Sequence, residues 1–163
     1  MDQRMPPDAA AKALYDTDYY AWVQAQVEAL RRLAASGRTD LPLDLENLAE
    51  EVSDLGANEL HKAESLLEQI LIHLLKLLAA PDHQAARHWR REVAAFRVQL
   101  VKRHWTGTLR RKVAEGFADT WFIARTRAVS ALEADIPDIE ARLPRDCPWT
   151  LDEIVAAPAP DRS

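Results

Sequence analysis

Histidines and carboxylates are the residues of this chain that could bind a metal ion, and their spacing decides whether they do. A di-iron site in a helical bundle needs Glu-x-x-His, because residues three apart share a helix face and reach one ion. The residues three positions before the five histidines are Asn, Ile, Ala, Ala and Val, and none is acidic. No two histidines have the spacing of His-Glu-x-x-His either. The sequence therefore predicts no metal site.

Covalent chemistry and nucleotide binding also lack a local pattern. The single cysteine, Cys147, follows Asp146, and a neighbouring carboxylate opposes formation of the reactive thiolate. The chain has neither a Gly-x-Ser-x-Gly elbow nor a glycine-rich loop with a lysine for phosphates. We therefore expect no bound cofactor and assign no catalytic residue.

His73 is the histidine whose position permits two interpretations. It lies at the edge of a predicted inward helix face, beside Ile70, Leu74 and Leu77. A buried histidine of this kind usually bonds a carbonyl or a facing side chain, which is a structural role. The alternative is an enzyme whose site is assembled from distant residues, with His73 facing carboxylates of other helices. Glu59 is not such a partner, because fourteen helical residues separate the two by about 21 Å.

Charge is distributed in two opposed blocks along the chain. Residues 40–68 contain nine acids and one lysine, whereas residues 81–112 contain nine bases and two acids. The basic block could bind nucleic acid, with Trp89 or Trp105 available to stack on bases. Alternatively, the basic block could pair with the acidic block inside the fold. The net charge of −5 favours this second interpretation. The candidate basic face consists of Arg87, Arg90, Arg91, Arg97 and Lys102.

The elements that position these residues are predicted to be helices. Only four of the 163 residues are glycine, and the apolar residues favour Ala and Leu, which suit helices better than strands. Short connections between long helices favour antiparallel neighbours. We therefore predict an all-α protein, an up-and-down bundle of four main helices plus a short C-terminal helix opened by a capping box at Thr150. The predicted main helices span residues 16–36, 44–79, 84–104 and 108–133, with Gly37 closing the first and a bend near Gly56 in the second.

Length and patterning also predict the domain limits and the compartment. We expect a flexible N-terminal lead-in over 1–13, a single bundle domain over 14–156 and a flexible tail over 157–163. The N-terminus does not resemble a signal peptide, and a single cysteine suits a reducing compartment. The longest apolar segment, 66–80, is interrupted by polar residues and is too short to span a bilayer. A cytoplasmic protein that does not insert into membranes is expected.

Apolar residues in excess of one stripe favour an interaction role. In the second predicted helix one broad face, which includes Leu48 and Leu55, is expected to point inward, and Ile72 and Leu75 point away from it. In the fourth, Phe122 and Val129 lie off the apolar stripe. Such surface is covered by another part of the fold or by a partner. We expect the last helix to cover Phe122 and Val129. Self-association or binding of an unknown protein partner is the leading interpretation, and nucleic-acid binding or a composite enzyme site is the alternative.

Several motifs of the chain resemble one known bacterial family. They are Leu14-Tyr-Asp-Thr-Asp-Tyr-Tyr-Ala-Trp22, Asp44-Leu-Glu-Asn-Leu-Ala-Glu-Glu-Val-Ser-Asp-Leu-Gly56, His73-Leu-Leu-Lys76 and Cys147-Pro-Trp-Thr150. Together they bracket residues 14 to about 155 and are similar to the bacterial proteins grouped as domain of unknown function 29. The resemblance implies an all-helical fold and no established activity. It points to six positions to probe: Trp22, Glu50, Glu51, His73, Lys76 and Trp89.

Overall fold

The regular secondary structure of the described residues consists of α-helices joined by loops. The computed structural model describes residues 7–103 and 105–156, with side chains over 9–102 and 105–156. Within these ranges the secondary structure is α-helical and contains no strand, which confirms the predicted all-α class. The helices are α1 (Pro7–Thr17), α2 (Tyr19–Ser36), α3 (Leu45–Ala79), α4 (Ala86–Arg103), α5 (Gly107–Glu115), α6 (Phe117–Leu132), α7 (Ile139–Arg142) and α8 (Leu151–Val155).

Three helix ends lie where local sequence signals predict them. Gly37 closes α2 in the left-handed conformation, with φ of 59°, and its N–H donates to the carbonyl of Ala34. The Oδ1 of Asp44 accepts the N–H of Asn47 at 3.2 Å before α3. The Thr150 side chain and Glu153 form the predicted capping box at the start of α8.

The N-terminal prediction is wrong for residues 7–13, where a flexible lead-in was expected and α1 is found. Pro7 is the first residue of this helix, where its fixed φ is pre-organised and its missing N–H costs nothing. Alanines then fill the following turns, and alanine is the strongest helix former. The sequence lacks an apolar stripe there, so periodicity could not reveal the helix. Residues 1–6 and the predicted flexible tail, 157–163, lie outside the described residues.

The fourth predicted helix is divided at Gly116 into α5 and α6, so the prediction of one continuous helix is wrong. Glycine costs about 1 kcal/mol in a helix interior relative to alanine. A Cβ atom at position 116 would also lie 3.3 Å from the Oε1 of Glu64. The break therefore coincides with a residue whose lack of a side chain lets the backbone approach α3.

Gly56 has a packing role inside α3. The helix continues through this buried residue without interruption. A Cβ atom at Gly56 would lie 3.1 Å from the Cγ1 of Val23 and 3.3 Å from the Nε2 of Gln24. The glycine thus allows α2 and α3 to pack closely, at a cost in helix propensity. The expected bend near Gly56 stays a prediction.

The described residues group into two compact units. The first comprises 7–61 with 106–112, and the second comprises 62–103, 105 and 113–156. The single domain over 14–156 stays a prediction. Buried residues of the first unit include Tyr20, Val23, Val27, Leu45, Ala49 and Leu109, and those of the second include Ala63, Leu67, Ile70, Leu71, Leu75, Trp89, Val93, Leu100 and Ile154.

The stretch of α3 that is apolar on all sides is covered by the chain itself. Ile72 is 6% exposed and Leu75 is fully buried. The reason for expecting self-association through these two residues is thereby removed. Two leucines predicted to face inward are exposed instead, Leu48 at 41% and Leu55 at 44%, because the buried side of this part of α3 carries Leu45, Ala49 and Gly56.

Asp18 joins two parts of the first unit. Its Oδ1 accepts the N–H of Ala21 at 3.0 Å, which caps α2, and the hydroxyl of Thr106 at 2.9 Å. Its Oδ2 accepts the N–H of Thr108 at 3.3 Å, in the first turn of α5. Burial opposes ionisation, but the hydrogen bonds from Ala21, Thr108 and Thr106 outweigh it and lower the pKa of Asp18.

Replacing Asp18 by Ala is expected to lower the free energy of unfolding by about 1.5 kcal/mol at pH 7, through the lost cap and bonds. The folded-state pKa is depressed, so this stabilisation is present above the unfolded value of about 4 and is lost as the pH falls through the folded pKa. Urea unfolding of both proteins at pH 7 and pH 3 measures the difference. It should shrink at pH 3, and a difference that does not depend on pH would contradict this role.

Candidate interaction surface

Three of the six family-motif positions lie together in the second unit. The ammonium of Lys76 lies 5.8 Å from the centre of the Trp89 ring, within the range of a cation–π interaction. The ring of His83 stacks on Trp89 with centroids 4.8 Å apart. His73 lies one turn before Lys76 on α3 and is 5.9 Å from the ring of Phe96 on α4. These side chains join α3 to α4 through ring contacts.

The geometry of His73 favours the structural interpretation. Its Nδ1 lies 2.7 Å from the carbonyl oxygen of Gln69. A carbonyl only accepts, so the proton must be on Nδ1 and the imidazole donates one turn back along its own helix. Burial lowers the pKa of His73, the Gln69 bond partly opposes this, and the charge of Lys76 lowers it further. The charge of Glu92 on α4 raises the pKa in part, but the Nδ1–H is committed to the Gln69 carbonyl, which is the structural role expected of a histidine at the edge of a core.

The His73 imidazole is expected to titrate below its ordinary value of about 6.5. Burial disfavours the charged ring, so protonation destabilises the fold as the pH falls from about 6.5 towards the folded pKa. NMR titration of the ring protons, assigned with His73→Gln, measures the midpoint. A midpoint for His73 at or above the ordinary histidine value of about 6.5 would contradict the assignment.

The other three motif positions lie in the first unit. Trp22 packs against Tyr15 and Tyr19, with ring centroids 4.8 and 5.6 Å away. Glu50 and Glu51 are exposed on α3. The six motif positions therefore do not form one site: three lie together in the second unit, Trp22 belongs to an aromatic cluster of the first, and the two glutamates are exposed. Among the described residues no group of three or more His, Cys, Asp or Glu side chains could hold a metal ion.

The candidate basic face is not one continuous surface. Arg87, Arg90, Arg91 and Lys102 are exposed, whereas Arg97 is partly buried against α8. Its Nε donates to the carbonyl of Ile154 at 2.7 Å and its Nη2 to that of Glu153 at 3.3 Å. Arg97 thereby satisfies carbonyls in the last turn of α8, which have no partner within the helix.

The acidic block has at least one partner outside the basic block. Glu68, the last acid of the block, forms an ion pair with Arg127 of α6. The predicted pairing of the acidic block with the basic block stays a prediction.

An apolar groove interrupts the basic face of α4. It is a cavity of about 740 Å³ that is lined by α4, Trp105 and α8. Val98 is 63% exposed and Val101 is 54% exposed, so both present apolar surface to solvent. The groove is lined by Ala94, Arg97, Val98, Val101, Lys102, Trp105, Asp152, Val155 and Ala156. We call these residues the α4–α8 groove.

The α4–α8 groove is the site that sequence reasoning missed. The recurrence of Ala94, Val98 and Val101 at four- and three-residue steps marks a second apolar stripe on α4. This stripe could have indicated the groove from the sequence, but the arginines around it made α4 resemble a basic helix. The other wall depends on α8 docking on α4, which no local pattern indicates.

The predicted cover of Phe122 is wrong. Phe122 is 70% exposed on α6, and its neighbour Ile123 is 40% exposed. The last helix, α8, contacts α4 instead, where Ile154 and Val155 are buried. The burial of two apolar residues of α8 and the two bonds from Arg97 explain this preference.

The closing motif supports α6 through backbone contacts. The indole N–H of Trp121 donates to the carbonyl of Arg145 at 2.9 Å, and Trp149 meets the Trp121 ring edge-on. Burial raises the pKa of the Cys147 thiol, and the charge of Glu153 raises it further. The thiol lies 3.3 Å from the carbonyl oxygen of Trp149, and a backbone hydrogen bond of Trp149 partly opposes the rise in pKa.

No helix in the described ranges is both long enough and apolar enough to cross a membrane. The cytoplasmic location stays a prediction.

The fold and these motifs define an all-α protein, and comparison with known proteins gives its family. The chain matches the family described as Domain of unknown function DUF29 over residues 14–158 and belongs to that family, which confirms the resemblance drawn from its motifs. Its structure is similar to an alpha-helical protein of unknown function from Rhodospirillum rubrum, with 32% identity and a TM-score of 0.66, over 90% of this chain and 85% of the other. A comparison with curated proteins gave no match.

Proposed function

We propose that this chain is a protein-interaction module that binds an amphipathic helix in the α4–α8 groove. The supporting observation is the exposure of Val98 and Val101, each more than half open to solvent, in a cavity that Ala94, Val155 and Ala156 also line. Recognition of an apolar helix face by a hydrophobic groove is a recurring mode of protein binding. The half-buried imidazole of His73, bonded to its own helix, gives no comparable support to an enzyme.

The charges next to the groove determine the kind of helix it binds. Stepping about 100° per residue places Arg87, Arg91 and Lys102 in the same sector of α4 as Val98. All three bases are exposed. A helix lying along this sector would bury its apolar residues on Val98 and Val101 and place its flanking residues near the bases. Carboxylates at those flanks are favoured, and their effect is local because salt screens charges over about 8 Å.

The same observations weaken the nucleic-acid alternative. The half of the basic sector nearest the end of α4 presents Ala94, Val98 and Val101 to solvent. Arg97 is engaged by the carbonyls of α8. Nucleic-acid binding needs a larger set of bases that contact phosphates. A DNA duplex is therefore included among the binding probes to test nucleic-acid recognition.

Fluorescence anisotropy with three labelled probes tests the proposal. The first is a 16-residue amphipathic helix with leucine on one face and glutamate at its flanks. The second carries lysine for glutamate, and the third is a 20-base-pair DNA duplex. We expect the acidic peptide to bind with a Kd of about 10 μM and the basic peptide at least about tenfold more weakly.

Matched variants locate the site. The double change Val98→Asp and Val101→Asp should abolish peptide binding without unfolding the chain, because both residues are more than half exposed. Phe122→Asp, at an equally exposed apolar residue of α6, should leave binding unchanged. Binding that survives the double change, or no binding of the acidic peptide at 1 mM, would refute the proposal. Preferential binding of the duplex at low salt would replace it with nucleic-acid recognition.

A further inference from the structure

The chain itself carries a helix of the kind that the α4–α8 groove is proposed to bind. In the first half of α3, Leu48 is 41% exposed and Leu55 is 44% exposed. They lie seven residues apart and therefore nearly in line along the helix, about 10.5 Å from each other. Glu51 lies between them, about 40° to 60° around the helix, and is exposed. Asp54 is exposed on the acidic flank beyond Glu51, about 100° to 120° from the leucines. We call these four residues the α3 stripe.

The buried side of this helix segment faces elsewhere, so the α3 stripe is surplus to the fold. Leu45, Ala49 and Gly56 are the buried residues of the segment. At about 100° per residue, their directions lie roughly 60° to 120° away from that of Leu48 and Leu55. The leucines are exposed in the complete chain, and so are Val98 and Val101 of the groove. Each unit thus presents one apolar surface to solvent.

We propose that the occupant of the α4–α8 groove is the α3 stripe of a second copy of this chain. The proposal rests on the function proposed above and names its partner. Charge complementarity and apolar matching support it together. The stripe offers two leucines with Glu51 and Asp54. The groove offers two valines with Lys102, and the exposed Arg91 lies next to it on α4. An interface built from two different surfaces is heterologous.

This pairing differs from the self-association expected from the sequence. That expectation used Ile72 and Leu75, which are buried, and the outer face of α6. The present pairing uses an acidic face and a basic groove, so it should weaken as salt rises. We expect the apparent Kd to increase at least about fivefold between 0.05 and 0.5 M salt.

A complementation experiment by sedimentation velocity separates the two surfaces. The stripe variant combines Leu48→Ser with Leu55→Ser and keeps an intact groove. The groove variant combines Val98→Asp with Val101→Asp and keeps an intact stripe. We expect the wild-type chain to associate with increasing concentration and each variant alone to be monomeric. An equimolar mixture should form a heterodimer, because one stripe and one groove remain intact.

Two further variants provide a control and a second test of the α3 stripe. Leu78→Ser, at a half-exposed leucine near the end of α3, should associate like the wild type. The exposed double change Glu51→Lys with Asp54→Lys should weaken association at least about tenfold while preserving the helical circular dichroism spectrum. This charge variant provides the test if the serine variant unfolds.

The outcomes distinguish this inference from the proposed function. A wild-type chain that stays monomeric at the highest concentration, a stripe variant that still associates, or a mixture that fails to form a heterodimer would overturn the pairing. If the synthetic acidic peptide nonetheless binds the groove, the interaction function stands and the partner is another protein. If neither the peptide nor a second copy binds, both proposals fail.

Discussion

Replacing Leu75 by Ala is expected to lower the free energy of unfolding by about 3 kcal/mol. Leu75 is fully buried, and large-to-small changes at such sites lose both transfer energy and the contacts around the resulting cavity, typically about 2–5 kcal/mol. Urea unfolding followed by circular dichroism at 222 nm measures the loss. The protein should also remain in the association state of the wild type, because the residue faces the interior of the fold.

Leu78 is the matched control for this prediction. It lies three residues further along α3 and is half exposed, so Leu78→Ala should change the free energy of unfolding by about 0.5 kcal/mol or less. A loss below 1 kcal/mol for Leu75→Ala would mean that the chain does not bury this side of α3. In that case the apolar end of α3 would again be a candidate surface for self-association.

Replacing Arg97 by Met is expected to have two effects. The first is a loss of about 2 kcal/mol in the free energy of unfolding, because the carbonyls of Ile154 and Glu153 lose a charged donor. The second is at least a tenfold loss of affinity for the acidic peptide, because α8 forms one wall of the α4–α8 groove. Methionine preserves most of the apolar volume of the side chain, so the change mainly removes the two bonds.

Arg91→Met provides the comparison for stability. Arg91 is exposed on the same helix, and its replacement should cost about 0.5 kcal/mol or less. If Arg97→Met were as stable as Arg91→Met, the bonds to α8 would contribute nothing to holding it on α4. If Arg97→Met lost stability but bound the peptide normally, α8 would not be part of the binding site.

The features predicted correctly from the sequence are those that depend on local chemistry. Gly37, Asp44 and Thr150 end or begin helices through their own conformation or side-chain bonds, so the neighbouring residues suffice to identify them. Asp18 is an exception, since it caps α2 two residues after residue 16, where the first main helix was predicted to begin. Its additional bonds to Thr106 and Thr108 come from residues about ninety positions away, and no sequence window contains both ends.

The errors arise where packing decides the outcome. Leu48 and Leu55 fit a broad apolar stripe on a helical wheel, yet the fold buries the side of α3 that carries Ala49 and Gly56. The small residues there allow α2 to pack closely against α3. A hydrophobicity pattern does not report how closely two helices can pack. Phe122 remained uncovered for a related reason, because α8 packs on α4 through Ile154, Val155 and the Arg97 bonds.

The candidate site was predicted less well than the fold. The motif positions indicated structural clusters, in which His73, Lys76 and Trp89 connect helices, and the charge pattern indicated a basic face. The groove lies within that face, where Val98 and Val101 lie between Arg97 and Lys102 in the sequence. Its recognition required the tertiary position of α8, which brings Val155 beside α4 across more than fifty residues of sequence.

Titration of the ¹⁵N-labelled chain with the acidic amphipathic peptide, followed by two-dimensional NMR, tests the central claim most directly. If the peptide binds in the groove, we expect concentration-dependent shifts in the signals of residues that line it, with little change at Phe122. These signals are the amides of Ala94, Val98, Val101 and Val155 and the indole N–H of Trp105. Shifts centred on other helices, or spectra that the peptide leaves unaltered, would contradict helix binding by the α4–α8 groove.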